Sequence, residues 1–214
     1  MVNSGMKKKS FISIVIALLL SLVTFAACGY KGEDYSGDSV TDKKVLVAFF
    51  SRAGDNYEVG VIEKGNTQII AEMIADYTGG ELFHIERSTP YPAEYRACTD
   101  EAKAEQNANA RPELLEDKDI SEYDVIFLGY PNWWGDMPMP VYTFIESHDW
   151  SGKTVVPFCT HGGSGLSNTV STLNSKLTGA TVIRGLAIRG STAQNDRTAS
   201  DKAVKDFLTS TGLI

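Results

Sequence analysis

The sequence predicts an α/β fold in which a five-stranded parallel sheet carries helices on both faces. Short apolar runs alternate with stretches in which apolar residues recur at helical spacing, as at positions 0, 3, 4 and 7 within residues 70–77. The strand-like runs are apolar throughout, as at residues 125–128, which is typical of parallel strands buried on both sides. Repeated alternation of strands and helices favours a parallel sheet between two helical layers.

The predicted elements follow one another without internal repeats. Strands are predicted at residues 45–50, 82–85, 125–130, 154–160 and 182–188, and helices at 67–77, 95–109, 138–147, 168–177 and 198–210. Pro157 lies inside the fourth strand, in the interior of the predicted sheet. Because proline has no N–H to donate to a neighbouring strand, we expect a bulge at this point.

The first 28 residues resemble an export signal and are not expected to belong to the fold. Three lysines at positions 7–9 precede an uncharged apolar stretch at 11–25, which is shorter than the ~20 residues of a membrane-spanning helix. Small residues before Cys28 resemble the lipobox of bacterial lipoproteins, although Phe25 stands where leucine is commoner. We therefore expect lipidation at Cys28, with an ordinary signal peptide or an uncleaved anchor as the alternatives. A flexible tether is predicted at residues 29–43 and one domain at 44–214.

The charge of the chain argues against a nucleic-acid partner. Removing the first 28 residues, which hold three lysines and no acidic residue, leaves 17 basic and 27 acidic residues, a net charge of −10. Such a surface repels a phosphate backbone. Cys98 and Cys159 lack the spacing of a zinc or thioredoxin motif, so no metal site is predicted. We expect two buried thiols, and a disulfide between them is the alternative in an exported protein.

Three loops after predicted strands carry the candidate functional residues. In parallel sheets, ligands bind beyond the carboxyl ends of the strands. The loop at residues 51–67 contains Ser51 and Arg52 and ends in Asn66, a candidate N-cap, at the start of a helix, where free backbone N–H groups suit a phosphate. The alternative is a capped helix after a long loop.

The second loop, Gly129-Tyr130-Pro131-Asn132-Trp133-Trp134-Gly135, places two tryptophans just past a strand. Two adjacent indoles at that position suit a flat aromatic ligand, and the alternative is a hydrophobic lid that packs on the domain itself. The third loop is Thr160-His161-Gly162-Gly163-Ser164-Gly165, whose glycines allow backbone amides to approach a ligand closely. His161 is a candidate acid or hydrogen-bond donor, or else a solvated loop residue. His84 and His148 are expected to be structural or solvated.

Taken in order, these segments resemble the flavodoxin-like FMN-binding proteins, in particular the bacterial subfamily with Tyr-Pro-Asn-Trp-Trp after the third strand. The matching segments are 49–52, 65–67, 130–135, 157–165 and 187–190. The resemblance covers residues 44 to the C-terminus. It implies a three-layer flavodoxin-like sandwich with strand order 2-1-3-4-5, non-covalent FMN, and either an electron carrier or an FMN-dependent oxidoreductase.

The resemblance also implies a role for each loop. Ser51, Arg52, Asn66 and Thr67 match the phosphate loop; Pro131, Asn132, Trp133, Trp134 and Gly135 match the loop that stacks on the isoalloxazine; Thr160, His161, Gly162, Gly163 and Ser164 match the loop along the pyrimidine edge. Gly135 corresponds to the position whose carbonyl can turn to accept from reduced N5. The departure is an insertion at residues 55–64, where flavodoxins usually run from strand to helix in a few residues, and it leaves the part played by Arg52 open.

Two other classes of function are compatible with parts of the sequence. A flavin-free surface-binding lipoprotein could keep the fold, since fold alone does not fix function. A hydrolase is suggested by Gly162 and Ser164, but the Gly-x-Ser-x-Gly elbow requires glycine where Leu166 stands. We therefore expect an FMN redox protein at the cell envelope, held to the membrane by an N-terminal lipid. The electron donor, the acceptor and the oligomeric state are left open.

Overall fold

The computed structural model of the protein describes residues 39–214. Its strands are β1 (Val45–Phe49), β2 (Gly54–Asn56), β3 (Gly60–Ile62), β4 (Glu81–His84), β5 (Val125–Pro131), β6 (Thr154–His161), β7 (Thr181–Val182) and β8 (Leu186–Arg189). Its α-helices are α1 (Asn66–Thr78), α2 (Tyr95–Ala108), α3 (Met139–Glu146), α4 (Thr169–Lys176), α5 (Gly190–Asn195) and α6 (Arg197–Ser210). Most predicted elements therefore lie within two residues of their expected bounds.

The main sheet has the predicted parallel topology. Its order is β4-β1-β5-β6, and β7 and β8 share the outer position beside β6. Every pairing in this sheet is parallel. Counted along the chain as five strands, the order is 2-1-3-4-5, so the predicted fold class is confirmed. The reversal between β1 and β5 leaves a crevice at the carboxyl ends of these strands, where ligands bind in such folds.

Two apolar cores cover the two faces of the sheet. Alternate residues of β1 point to opposite faces, so Leu46 belongs to one core and Val47 to the other. The core around Val47 includes Ile70 of α1 and Val204 of α6. The core around Leu46 includes Phe144 of α3 and residues of α4. The strands are consequently apolar on both sides, as their sequence predicts.

The strand beside Pro157 is interrupted, and the strand that contains Pro157 is not. Strand β6 is continuous. Its partner strand is interrupted after Val182 and resumes at Leu186, and the interrupted stretch has one more residue than the stretch of β6 that lies opposite it. The backbone of Val155 faces this partner, since its O accepts from Ile183 N at 3.0 Å. Pro157, two residues on, faces it too and has no N–H to donate. The prediction of a bulge in the fourth strand is therefore wrong: β6 is continuous through Pro157, and the extra residue lies in the neighbouring strand.

Three short segments differ from the expected elements. Residues 54–62 form an antiparallel hairpin of β2 and β3, here called the insertion hairpin, where a loop was expected. Helix α5 was not predicted. Within the predicted tether, Val40 starts a 3₁₀ helix (Val40–Asp42), is buried, and donates its N–H to Leu213 O at 3.0 Å. This end of the tether therefore packs against the domain.

The predicted signal segment, Cys28 and the tether up to residue 38 lie outside the described residues. Between residues 39 and 214, no helix has the length and apolar character needed to cross a membrane.

Candidate functional site

A cavity of about 460 Å³ lies at the carboxyl ends of the central strands. Its volume falls in the range of roughly 300–1,000 Å³ that is usual for small-molecule sites. The three candidate loops converge on it. The predicted residues that line it are Arg52, Asn66, Pro131, Asn132, Trp133, Trp134, Thr160, His161, Gly162, Gly163 and Ser164. Ser51, Thr67 and Gly135 do not line this cavity.

The first loop meets helix α1 in unusually close contact at Gly65. A Cβ on Gly65 would lie 2.2 Å from Ser51 Oγ, 2.7 Å from Arg52 O and 2.8 Å from Arg52 N. Only a glycine allows this approach, because two of these atoms belong to the backbone. Gly65, not Asn66, is the N-cap, so the expected capping role of Asn66 is wrong. Gly65 has no side chain with which to cap the helix, and Ser51 Oγ accepts a hydrogen bond from Gln68 N at 3.1 Å in its place.

The start of α1 keeps polar groups available at the cavity. Among the described residues, neither the backbone N–H of Asn66 nor that of Thr67 donates a hydrogen bond. Asn66 Oδ1 is buried and has no hydrogen-bond partner there either. A Cβ on Gly190 would lie 2.4 Å from Asn66 Nδ2, so the start of α5 closes this corner. Orphan N–H groups at a helix N-terminus attract anions.

Arg52 is bound to the backbone around it. Its guanidinium donates to Pro92 O at 2.7 and 3.2 Å, to Ala93 O at 2.5 Å and to Asp55 O at 2.6 Å. These bonds join the insertion hairpin to the segment before α2. Arg52 lines the cavity, but most of its N–H donors are already bonded to these backbone carbonyls. We therefore assign it a role in positioning the insertion hairpin.

The tryptophan loop makes a tight turn with left-handed backbone at both central positions. Trp133 N donates to Asp136 O at 2.9 Å, and Asp136 N donates to Trp133 O at 3.0 Å. Between them Trp134 has φ +55° and Gly135 has φ +81°, the pattern of a type I′ turn. A bulky residue in this region is uncommon and strained. The turn therefore holds Trp134 outward at some cost in backbone energy.

The two tryptophans have different environments. Trp133 is half-buried and packs edge-on against Phe50 and Tyr91, with ring centroids 5.4 and 5.2 Å apart. Trp134 is 54% exposed and its Nε1 donates to Thr99 O at 3.2 Å. Trp133 therefore anchors the loop to the core, and Trp134 offers its ring to the cavity.

Polar bonds tie the three loops to one another. Thr67 and Thr160 join their hydroxyls at 2.8 Å. Asn132 N donates to Thr160 O at 2.8 Å, and its side-chain amide donates to Gly165 O at 2.8 Å. Thr67 and Thr160 are buried, so their bonds are shielded from water. These contacts fix the loops in one arrangement, which is the preorganisation that a binding site needs.

His161 lies at the end of β6 and accepts a hydrogen bond from Gly163 N on its Nδ1, at 2.9 Å. This bond requires an unprotonated Nδ1, which leaves Nε2 as the donor. Burial, and secondarily the cation of Arg189, lower the pKa of His161 below its ordinary value. The imidazole is therefore neutral near pH 7 and can donate one hydrogen bond into the cavity.

We expect a pH-dependent contribution to stability from His161. Because its folded pKa is depressed, the stabilisation is complete above the unfolded value of roughly 6.5 and is lost as pH falls through the lower folded value. The Tm of the wild type should therefore fall relative to that of His161→Asn between pH 7.5 and 5, since asparagine can accept from Gly163 N without titrating. Thermal unfolding followed across this range measures the difference. Parallel pH profiles for the two proteins would contradict the expectation.

Sequence reasoning missed the residues that line the outer side of the cavity. They are Asn56, Tyr57 and Glu58 of the insertion hairpin, Tyr95, Cys98, Thr99 and Ala102 of α2, and Gly190 and Ser191 of α5. The α2 residues recur at 0, 3, 4 and 7, which places them on one face of the helix. That spacing was a readable signal in an otherwise polar helix.

The other histidines and the two cysteines have structural positions. His84 Nε2 lies 3.3 Å from Ser51 N and 3.0 Å from Ser51 O, and His148 Nδ1 lies 2.8 Å from Phe144 O, so both are structural. Within the described range, Cys98 and Cys159 are free and buried, so the alternative of a disulfide between them is wrong. Burial raises the pKa of Cys98 to about 11 and that of Cys159 to about 12.

The hydrolase interpretation gains no support from the geometry. A nucleophilic serine needs a base within hydrogen-bond reach. Ser164 lines the cavity, but the Nδ1 of nearby His161 accepts from Gly163 N. Within residues 39–214, no hydrogen bond joins Ser164 to a histidine.

Comparison with known proteins agrees with the fold. The flavodoxin family profile matches residues 44–202. An inferred flavoprotein from Bacteroides eggerthii is 32% identical, with 78% of this chain and 96% of that chain covered and a TM-score of 0.62. A similar protein from Bacteroides uniformis is 29% identical over 76% of this chain and 98% of that one, with a TM-score of 0.61.

A flavoprotein from Lactobacillus acidophilus, solved in complex with FMN, is 26% identical over 70% of this chain and 95% of that one, with a TM-score of 0.55. No curated protein is significantly similar to the chain. The family profile spans well over half of the sequence, from just before β1 into α6. This chain belongs to the flavodoxin family.

Proposed function

We propose that this chain is an FMN-binding redox protein that works at the cell envelope. The observation that carries the proposal is the convergence of three preorganised loops on one cavity. Amide groups of Asn66 that have no partner in the described part of the chain lie at one end, and aromatic rings lie at the other. The family membership and the FMN complex of the Lactobacillus acidophilus relative support the same cofactor.

The corner at the start of α1 fits the phosphate and ribityl end of FMN. The N–H group of Asn66, which lines the cavity, is available to phosphate oxygens, and the positive end of the α1 dipole adds to the attraction. The buried Asn66 Oδ1 has no partner within residues 39–214, and a ribityl hydroxyl can donate to it. An unpaired buried polar atom costs free energy of about 1–3 kcal/mol, which a ligand would recover.

The opposite end fits a flat ring system. Trp134 presents a half-exposed indole, and flat aromatic rings stack with a gain of about 0.5–1.5 kcal/mol beyond the burial of area. Gly162 and Gly163 present backbone rather than side chains to the cavity, and His161 offers its Nε2–H. These groups bind and orient the ring, while FMN itself supplies electron and hydride transfer when bound.

The redox role is tested by cycling the FMN-loaded protein without oxygen. Dithionite should bleach the flavin absorbance, and an added acceptor should restore it over repeated cycles. Steady oxidation of NADH or NADPH with that acceptor would place the protein among the oxidoreductases, whereas cycling with dithionite alone would favour a carrier. Bound flavin that dithionite cannot reduce would contradict a redox role in either form.

Attachment to the envelope rests on the sequence around Cys28. The apolar segment at 11–25 and the small residues before the cysteine support export and lipidation. We expect the wild type to partition with membranes and to enter the detergent phase. Cys28→Ser should release it into the soluble fraction of the envelope. Equal partitioning of the two proteins would contradict lipid anchoring.

A further inference from the structure

The tether joins the domain at the end that lies opposite the cavity. Strands β1, β5 and β6 are parallel, so their amino ends share one edge of the sheet and their carboxyl ends share the other. Val40 lies at the amino edge, shortly before β1, and belongs to the same core as Val45. Pro131 and His161, the last residues of β5 and β6, line the cavity at the carboxyl edge.

The packing of Val40 fixes the point at which the tether leaves the domain. Val40 is 5% exposed, and its N–H donates to Leu213 O at 3.0 Å. Without this contact, the next residue along the chain that is bonded to the edge of the sheet is Lys44, whose N–H donates to Asp124 Oδ2 at 2.8 Å. The packing of Val40 therefore makes the tether shorter than it would be if it ended at Lys44.

The length of the tether limits how far an anchored domain can turn. Eleven peptide steps separate Cys28 from Ser39, and eleven steps reach at most about 40 Å in any conformation. A domain of this size corresponds to a sphere with a radius of roughly 20 Å. When the cavity faces the bilayer, the path from the opposite pole over the side of that sphere to the lipid is roughly 50 Å. The tether is too short for this path.

The contact between Val40 and Leu213 decides this result. A tether that ended at Lys44 would have sixteen peptide steps from Cys28, with a reach of up to about 58 Å. That reach would allow the domain to invert and bring the cavity to the lipid surface. With Val40 packed against the domain, the inverted orientation is excluded.

We propose that the packed Val40 keeps the cavity of the anchored protein turned away from the bilayer, so that its redox partner is water-soluble and approaches from the aqueous side. This proposal rests on the proposed function, including the lipid at Cys28, and it names the class of the partner. A partner dissolved in the lipid phase stays out of contact, because the tether cannot bring the cavity down to the surface.

The orientation is tested with the lipidated, FMN-loaded protein in phospholipid vesicles whose headgroups carry a resonance-energy acceptor. Glu122→Cys and Val61→Cys place a fluorophore at either end. The side chain of Glu122 is 71% exposed just before β5, and Val61 is 82% exposed in the insertion hairpin beside the cavity. Cys98 and Cys159 are buried and take up little label.

Energy transfer from position 122 should exceed transfer from position 61 by about twofold or more, because the two ends lie roughly one domain diameter apart. Equal transfer from the two positions would overturn the proposal.

Two variants with a longer tether are the matched controls. Insertion of about 30 Gly and Ser residues after Ser36 leaves the domain unchanged and allows either orientation. Val40→Asp releases the chain up to Lys44. The difference in transfer between positions 122 and 61 should disappear in the insertion variant and become smaller in Val40→Asp. A difference that persists unchanged in both variants would overturn the role of tether length and of Val40.

The class of the partner is tested by reoxidation of the reduced flavin in the same vesicles without oxygen. A water-soluble ferrocenium carboxylate and a ferrocenium group linked to a lipid headgroup present the same oxidant from two sides. The water-soluble form should restore the flavin absorbance equally fast in the wild type and the insertion variant. The lipid-linked form should act roughly tenfold faster on the insertion variant, since a geometry that forbids contact removes the reaction.

The outcomes separate this proposal from the proposed function. Equal rates of reoxidation by the lipid-linked oxidant in the wild type and the insertion variant would overturn the proposal while FMN binding and anchoring stand. Wild-type protein that does not float with the vesicles would overturn the lipid anchor at Cys28. Failure to bind FMN would overturn the redox function itself.

Discussion

Gly65→Ala should lower the affinity for FMN by roughly tenfold to a hundredfold. The new methyl group would meet the backbone N and O of Arg52 at 2.8 and 2.7 Å, so either the first loop or the start of α1 must move. Overpacking of this kind costs roughly 1–3 kcal/mol. The displaced groups include Asn66, which holds the phosphate in our proposal. FMN titration by fluorescence quenching measures the change.

The matched control is at the other end of the same helix. Gly79 follows α1 with φ +66°, and a Cβ there would meet nothing within 4 Å. Gly79→Ala should destabilise the fold by about 1–2 kcal/mol through backbone strain and leave the affinity for FMN unchanged. Equal loss of affinity in both variants would indicate that Gly65 acts only through general stability.

Trp133→Ala and Trp134→Gly should separate stability from binding. Trp133 packs on Phe50 and Tyr91, and truncation of a buried aromatic costs roughly 3–5 kcal/mol. Since Trp133 is half-buried, we expect a loss of about 2–3 kcal/mol in the free energy of unfolding. Trp134→Gly removes an exposed ring and relieves a left-handed φ, so stability should hold or rise slightly.

In Trp134→Gly the affinity for FMN should fall even though stability does not. Loss of its stacking interaction, about 0.5–1.5 kcal/mol, corresponds to a twofold to tenfold weaker affinity for FMN. Urea denaturation and FMN titration on the same samples give both quantities. A large loss of stability in Trp134→Gly, with unchanged affinity for FMN, would show that this ring is part of the core and not of the site.

The sheet was predictable because its strands are buried on both faces, so that each strand has a continuous apolar sequence. The fifth strand was predicted without its interruption, which lies opposite Pro157 of the neighbouring strand, a residue with no N–H to donate. The insertion hairpin was missed because its strands have three residues each and include Gly54, Asp55 and Asn56, which are poor strand formers. Its position depends on the bonds from Arg52 to the carbonyls of Pro92 and Ala93, which are distant in sequence.

The three cofactor loops of the site were predictable, whereas the parts of the site that come from the insertion hairpin and α2 were not. The three cofactor loops follow strand ends, and the parallel topology brings such ends to one edge. The sequence around Trp133 and Trp134 could not show that one ring is packed and the other exposed, since this follows from the turn geometry. Tyr57 and the α2 face reach the cavity only through tertiary packing, which local sequence does not encode.

The most direct test of the account is titration of the purified protein with FMN, followed by visible absorption, tryptophan fluorescence and co-elution. We expect flavin bands that elute with the protein at one FMN per chain, together with quenched tryptophan fluorescence, because Trp133 and Trp134 line the cavity. A colourless protein that leaves FMN fluorescence unchanged would contradict the cofactor site and favour a flavin-free binding protein that keeps the fold.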